Sequence, residues 1–158
     1  MTIYSFFIFD RHCNCIYNRE FTHTTQPNNG LINKNNTSHS SKLLFGILYS
    51  LKSIATKLIS ENQLNSFTLG QSFRFHFWES LTSYKFVIVT GYDVDDMQPV
   101  LDRLYSLFVS CVVSNGLSPV EFKWSDDGEK LENSGYSVIA NNSFVDETDR
   151  YLQSLSIY

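Results

Sequence analysis

The chain is 158 residues long, 42% hydrophobic and 15% aromatic, with a formal net charge of -4 and a pI near 5.5. This is the length of one domain, able to bury roughly 70% of the unfolded chain's surface around a single core. The acidic balance leaves no footprint for a phosphate backbone, which argues against nucleic acid as a partner, and no segment reaches the ~20 apolar residues that span a bilayer, which argues against direct membrane insertion.

The first element is Ile3 to Phe9, in which Ile3, Phe7 and Phe9 alternate with Tyr4, Phe6 and Ile8. A run that is apolar on both faces predicts a central strand covered from both sides. It also lacks the basic lead and small-residue cleavage site of a secretory signal. With an odd count of three cysteines, Cys13, Cys15 and Cys111, the expected setting is the reducing cytosol, and the sequons at Asn35, Asn36 and Asn141 are expected to be chance. Asp10 to Asn14 is a polar break, and the more polar run Cys15 to Phe21 predicts the outer strand of a hairpin. From Thr22 to Ser41 the chain is rich in Asn, Ser and Thr with no hydrophobic period, which predicts a mobile loop over 22–41 whose end, Ser38 to Ser41, caps a helix.

That helix is Lys42 to Ile59, KLLFGILYSLKSIATKLI. At 100° per residue Leu44, Ile47, Leu48, Leu51, Ile54, Ala55 and Leu58 share one broad apolar arc, expected to face the core. The opposite arc carries Phe45 and Tyr49 one turn apart, with Gly46 and Ser53 beside them and Lys42, Lys52 and Lys57 at the rim. Aromatics next to small residues let another backbone come close, so this arc reads as a contact surface for a partner.

Three strands follow: Ser66 to Leu69, Phe73 to Glu79 and Tyr84 to Thr90. Their short turns predict an antiparallel meander. The last is apolar on both faces and is expected beside the first, in the middle of the sheet. Asp93 to Asp96 should cap a second helix with Pro99 in its first turn and a stripe of Met97, Val100, Leu101, Leu104, Phe108, Cys111 and Val112; Asn115-Gly116 and Pro119 stop it. After an acidic loop at 125–135, expected to be solvated, a last helix starts at Asn142 or Ser143 and buries Phe144, Thr148, Tyr151, Leu152 and Leu155. The order is ββαβββαα, an α+β domain with one helix on one sheet face and two on the other.

No arrangement of residues predicts an enzyme or a cofactor. Asp10, His12, Cys13 and Cys15 offer C-x-C rather than C-x-x-C spacing and no second cysteine pair, so a hairpin tip is the default and no metal is expected. His76 lies in mid-strand, where a packed, hydrogen-bonded histidine is the ordinary case. No G-x-S-x-G elbow and no phosphate-binding glycine loop occurs.

The segments IYSFFIFDRHCNCIYNREF, KLLFGILYSLKSI and LYSLFVSCVVSNGLSP resemble the longin-fold (sedlin-like) core subunits of the TRAPP vesicle-tethering complex, most specifically at Phe9-Asp10-Arg11 and Lys42 to Ile54. The resemblance implies a profilin-like, five-stranded antiparallel sheet and a non-catalytic role in an elongated assembly. It implies pairing with a second longin subunit and with a two-layered α/β subunit, and a share in nucleotide exchange on a Rab-family GTPase between endoplasmic reticulum and Golgi. The chain would then be cytoplasmic and peripheral at those membranes. The first helix would contribute to the platform that the GTPase touches, through Lys42, Phe45, Gly46, Tyr49, Lys52 and Ser53. A small clathrin-adaptor-type subunit and a small α+β enzyme are the alternatives.

Overall fold

The computed structural model describes residues 2–21, 39–59, 64–118 and 139–155. Of the polar loop expected over 22–41, residues 22–38 lie outside the described residues, as do the acidic loop at 125–135, the sequons at Asn35 and Asn36, Ser38 as a cap and Pro119 as a stop; residues 39–41 correct that expectation, being the first turn of a helix rather than loop. The strands are β1 (Ile3–Phe9), β2 (Cys15–Glu20), β3 (Ser66–Leu69), β4 (Phe73–Glu79) and β5 (Lys85–Gly91). The helices are α1 (His39–Leu58), α2 (Gln98–Phe108), which continues into a π-helical turn over Val109–Val113, and α3 (Asn142–Ser154).

All strand pairs are antiparallel, in the order β2-β1-β5-β4-β3. The two doubly apolar strands lie side by side at the centre, with Phe6 opposite Ile88 and Ile8 opposite Phe86. Burial on both faces is what such strands require. The β1–β2 turn is closed by Asp10, whose Oδ1 accepts from the backbone N–H of His12 at 2.9 Å and of Asn14 at 2.8 Å. Cys13 takes a left-handed conformation there, with φ of 70°. Asp10 is therefore occupied as a turn former.

Alternate side chains divide the sheet into two cores. Phe6, Ile8, Phe86 and Ile88 point to the face under α2 and α3, where they meet Leu101, Leu104, Phe108, Phe144 and Leu152. Phe7, Phe9, Phe77, Val87 and Val89 point to the other face and meet Leu44 and Leu48 of α1. Polar contacts fasten the first face. Asn141 caps α3, its Oδ1 accepting from the N–H of Ser143 at 2.9 Å, while its Nδ2 donates to the carbonyl of Cys111 at 2.5 Å; the sequon nitrogen is thus engaged in joining α3 to the π-helical turn. Arg19 of β2 pairs with Asp149 of α3 at 2.5 Å.

The acidic run before α2 acts differently from the expectation of an acidic cap. Met97 is the cap residue and no side chain caps it. Asp96 Oδ1 accepts from the N–H of Gln98 at 3.0 Å, and Asp95 reaches Arg74 at 3.2 Å. Pro99 supplies the fixed φ of the first turn, and the one side chain that serves the helix start is Asp96, one position before the cap residue, rather than the cap residue itself.

Candidate partner-binding surface

α1 begins at His39, ahead of the expected Lys42, and only part of its apolar arc meets the sheet. Leu44 and Leu48 are buried, and Leu51 and Ala55 are half-buried. Ile47, Ile54 and Leu58, expected in the core, are 45%, 54% and 77% exposed, and Leu43 beside them is 67% exposed. Phe45 corrects the expectation from the other side: it is half-buried, its ring 5.7 Å from that of Phe9. The helix is rolled so that the flank carrying Phe45 and Lys52 dips toward the sheet. Two contacts hold that roll, the packing of Phe45 on Phe9 and an ion pair between Lys52 and Glu79.

The roll creates two different surfaces. On one flank Leu43, Ile47, Ile54 and Leu58 recur at intervals of four and seven residues, an exposed apolar stripe along nearly the whole helix. On the opposite flank, α1 and the two hairpin ends bound a groove of about 420 Å³. Its apolar floor is Phe45, Leu48 and Phe77, and Tyr49 stands at its side, its ring stacked on that of Phe45 at 6.2 Å. Glu79 and Lys85 close it from the sheet, where register places them opposite each other, and Cys13 reaches it from the β1–β2 turn.

Of the six residues expected to form a platform, Phe45, Tyr49, Lys52 and Ser53 come together at this groove. Lys42 and Gly46 are exposed on the same helix but are not part of its lining. A Cβ at Gly46 would meet nothing within 4 Å beyond the backbone of its own helix. The stripe is not legible in the sequence, because helical periodicity shows which residues share an arc, not how wide a floor lies beneath it. Glu79 and Lys85 are not legible as site residues either, because their meeting with α1 depends on tertiary placement; the one signal in the sequence is the strand face they share with Phe77 and Val87.

The titratable residues singled out in the sequence have structural surroundings. Burial pushes the Cys15 thiol up to about 12, and its Sγ donates to the carbonyl of Tyr17. His76 is buried with Nε2 2.9 Å from Thr90 Oγ1. Burial first and the Arg74 charge second push it down to about 4, so it is neutral at physiological pH. Among the described residues, no three His, Cys, Asp or Glu side chains are grouped to hold a metal, and no helix is long and apolar enough to cross a membrane.

The sybindin-like family model matches residues 3–123, from β1 past the end of α2. The chain belongs to this family. As a sybindin-like protein it is 34% identical over 96% of its length to trafficking protein particle complex subunit BET5 of Saccharomyces cerevisiae, covering 96% of that protein. It is 32% identical to trafficking protein particle complex subunit 1 of Dictyostelium discoideum, over 72% of this chain and 78% of the relative. The human protein of that name is 31% identical, over 76% of this chain and 81% of its own. These names are those of subunits of a particle, not of enzymes. The five-stranded antiparallel sheet with three helices is the α+β architecture that the resemblance implied.

Proposed function

We propose that this sybindin-like chain is a non-catalytic core subunit of a TRAPP particle. In that role it helps assemble a Rab guanine-nucleotide exchange factor and vesicle tether in traffic from endoplasmic reticulum to Golgi. It works in the cytoplasm and reaches those membranes through the complex. Its partners are a second longin subunit, a two-layered α/β subunit and, through the assembly, a Rab-family GTPase. The platform for that GTPase is the polar flank of α1, with Lys42, Phe45, Gly46, Tyr49, Lys52 and Ser53.

The observation that carries the reading is the exposed stripe of Leu43, Ile47, Ile54 and Leu58. At 1.5 Å per residue it runs about 22 Å, long enough to cross an interface that buries roughly 800 Å² per partner. Full burial of such a side chain contributes about 1.5–3 kcal/mol, and an interface over the stripe gains the share of it that corresponds to the 45–77% still exposed. An exchange factor needs no covalent step: it binds the nucleotide-free GTPase more tightly than the loaded one, and each factor of ten in that preference takes about 1.4 kcal/mol.

The test is co-expression with the candidate core subunits, read by size-exclusion chromatography. The double variant Ile47→Ser, Ile54→Ser should keep its circular dichroism spectrum and lose co-elution, while Tyr49→Ala should assemble but slow GDP release from the Rab. Co-elution of the double variant at the wild-type level would remove the stripe as the assembly surface.

A further inference from the structure

We infer that the groove beside α1 receives a short acidic segment of a partner protein, seating one large apolar side chain on Phe45, Leu48 and Phe77 with its carboxylates toward Lys57 and Lys85. This rests on the reading of that flank as a contact platform and names the chemistry of what occupies it.

Size comes first. At about 420 Å³ the space is at the small end of the range for ligand pockets, roughly 300–1,000 Å³. It suits one or two side chains. Its base is apolar and aromatic, so the group that enters is apolar as well, and Tyr49, 66% exposed, supplies a second wall against which that group packs.

Charge is the second observation. The whole chain is acidic, at -4, yet the groove is lined by Lys52, Lys57 and Lys85 against one carboxylate, Glu79. Glu79 is shared between Lys52, in direct contact, and Lys85 at 3.9 Å, so the local balance stays positive. Lys85 is held in place: its ammonium donates to the carbonyl of Ser83 at 3.1 Å and lies 5.8 Å from the Phe45 ring centroid. A fixed cation above an aromatic floor loses little freedom when an anion arrives.

The same lysines have the charge to meet an anionic lipid surface. The geometry favours a peptide, because the apolar base is recessed between the helix and the hairpin ends, where a flat bilayer does not reach and a single extended chain does.

The probe is a fluorescein-labelled Gly-Asp-Glu-Phe-Asp-Gly peptide titrated with the full chain and read by fluorescence anisotropy. Saturable binding is expected, weakening as salt is added. The peptide should also slow iodoacetamide alkylation of Cys13, which is exposed and lines the groove. Lys57→Glu, at an exposed position on the rim, should lower the affinity about fivefold or more through reversal of one charge contact, and Tyr49→Ser should lower it through lost packing. The inference is overturned if the peptide does not saturate, if a peptide with Lys at the acidic positions binds equally, or if Lys57→Glu binds as wild type does. It is also overturned if vesicles of equimolar phosphatidylcholine and phosphatidylserine bind through the same lysines and displace the peptide. Loss of peptide binding with normal subunit assembly would end the groove inference alone; failed assembly with intact peptide binding would end the subunit reading alone.

Discussion

The two faces of one sheet are finished to different standards. Under α2 and α3 an aromatic network closes the surface: Phe86 contacts the rings of Phe6, Trp78, Tyr105 and Phe108, and Phe108 continues to Phe144. Under α1 the core is smaller, Phe67 and Phe75 are only half-buried, and Phe73 and Leu69 on the same face are 39% and 54% exposed. Width explains the difference. Five strands at about 4.8 Å make a sheet some 20 Å wide, and a helix is about 10 Å across, so two helices cover it and one does not. Among the described residues the cover on the α1 side is incomplete, and apolar side chains of the sheet such as Leu69 and Phe73 stay exposed there.

The largest effect that could break this comparison is on stability. Phe86→Ala should cost about 3–5 kcal/mol, because a fully buried ring is removed from a network that cannot collapse around the hole. Leu48→Ala should cost about 2–3 kcal/mol, at the low end for a buried leucine, since α1 can settle toward the vacancy. Urea unfolding at neutral pH measures both. Equal losses would show that the α1 layer is as rigidly packed as the other.

The sealed face was legible in the sequence and the open one was not. β1 and β5 announce themselves by apolar residues at successive positions, and the stripes of α2 and α3 lie inward much as drawn: Leu101, Leu104, Phe108 and Val112 in one, Phe144, Thr148 and Leu152 in the other. There the stripe positions all pack on the core, with Val100, Cys111, Tyr151 and Leu155 half-buried at its edge and the others buried, so pattern and burial agree far more closely than on α1. On α1 they separate. Leu44 and Ile47 look equivalent in the sequence, but one is 8% and the other 45% exposed, and what distinguishes them is the reach of the floor below and the pull of Glu79 on Lys52 from a distant strand. The groove was legible only in part for the same reason: α1 announced Phe45, Tyr49, Lys52 and Ser53, while Glu79, Lys85 and Cys13 join them through the fold.

A pH titration sharpens the comparison, because its expected source lies on the sealed face. His76 is pushed from an ordinary 6.5 down to about 4 by burial and by Arg74, with Asp96 opposing and Thr90 accepting or donating at its Nε2. The unfolded chain therefore takes up this proton first as the pH falls. The contribution of His76 is complete above about 6.5 and is lost through about 4, amounting to something on the order of 3 kcal/mol. Thermal melts across that window should fall more steeply for the wild-type chain than for His76→Gln. Parallel curves would mean that the loss of stability in acid arises elsewhere.

The smallest effects lie along a single turn of α1, and they separate packing from presentation. Phe45→Ala should cost about 1–2 kcal/mol, less than a fully buried ring, because it rests on Phe9 with only part of its surface covered. Tyr49→Ala, at a 66% exposed position, should stay within about 0.5 kcal/mol. Gly46→Ala should go the other way, raising stability by about 0.5–1 kcal/mol, since the added methyl meets nothing within 4 Å beyond the backbone of its own helix and a helical glycine gives up more backbone freedom than alanine. A loss at Gly46 would show that its exposed backbone is closely approached by another part of the molecule. A loss at Tyr49 as large as that at Phe45 would place both rings in the core, and α1 would then present only its aliphatic stripe to a partner.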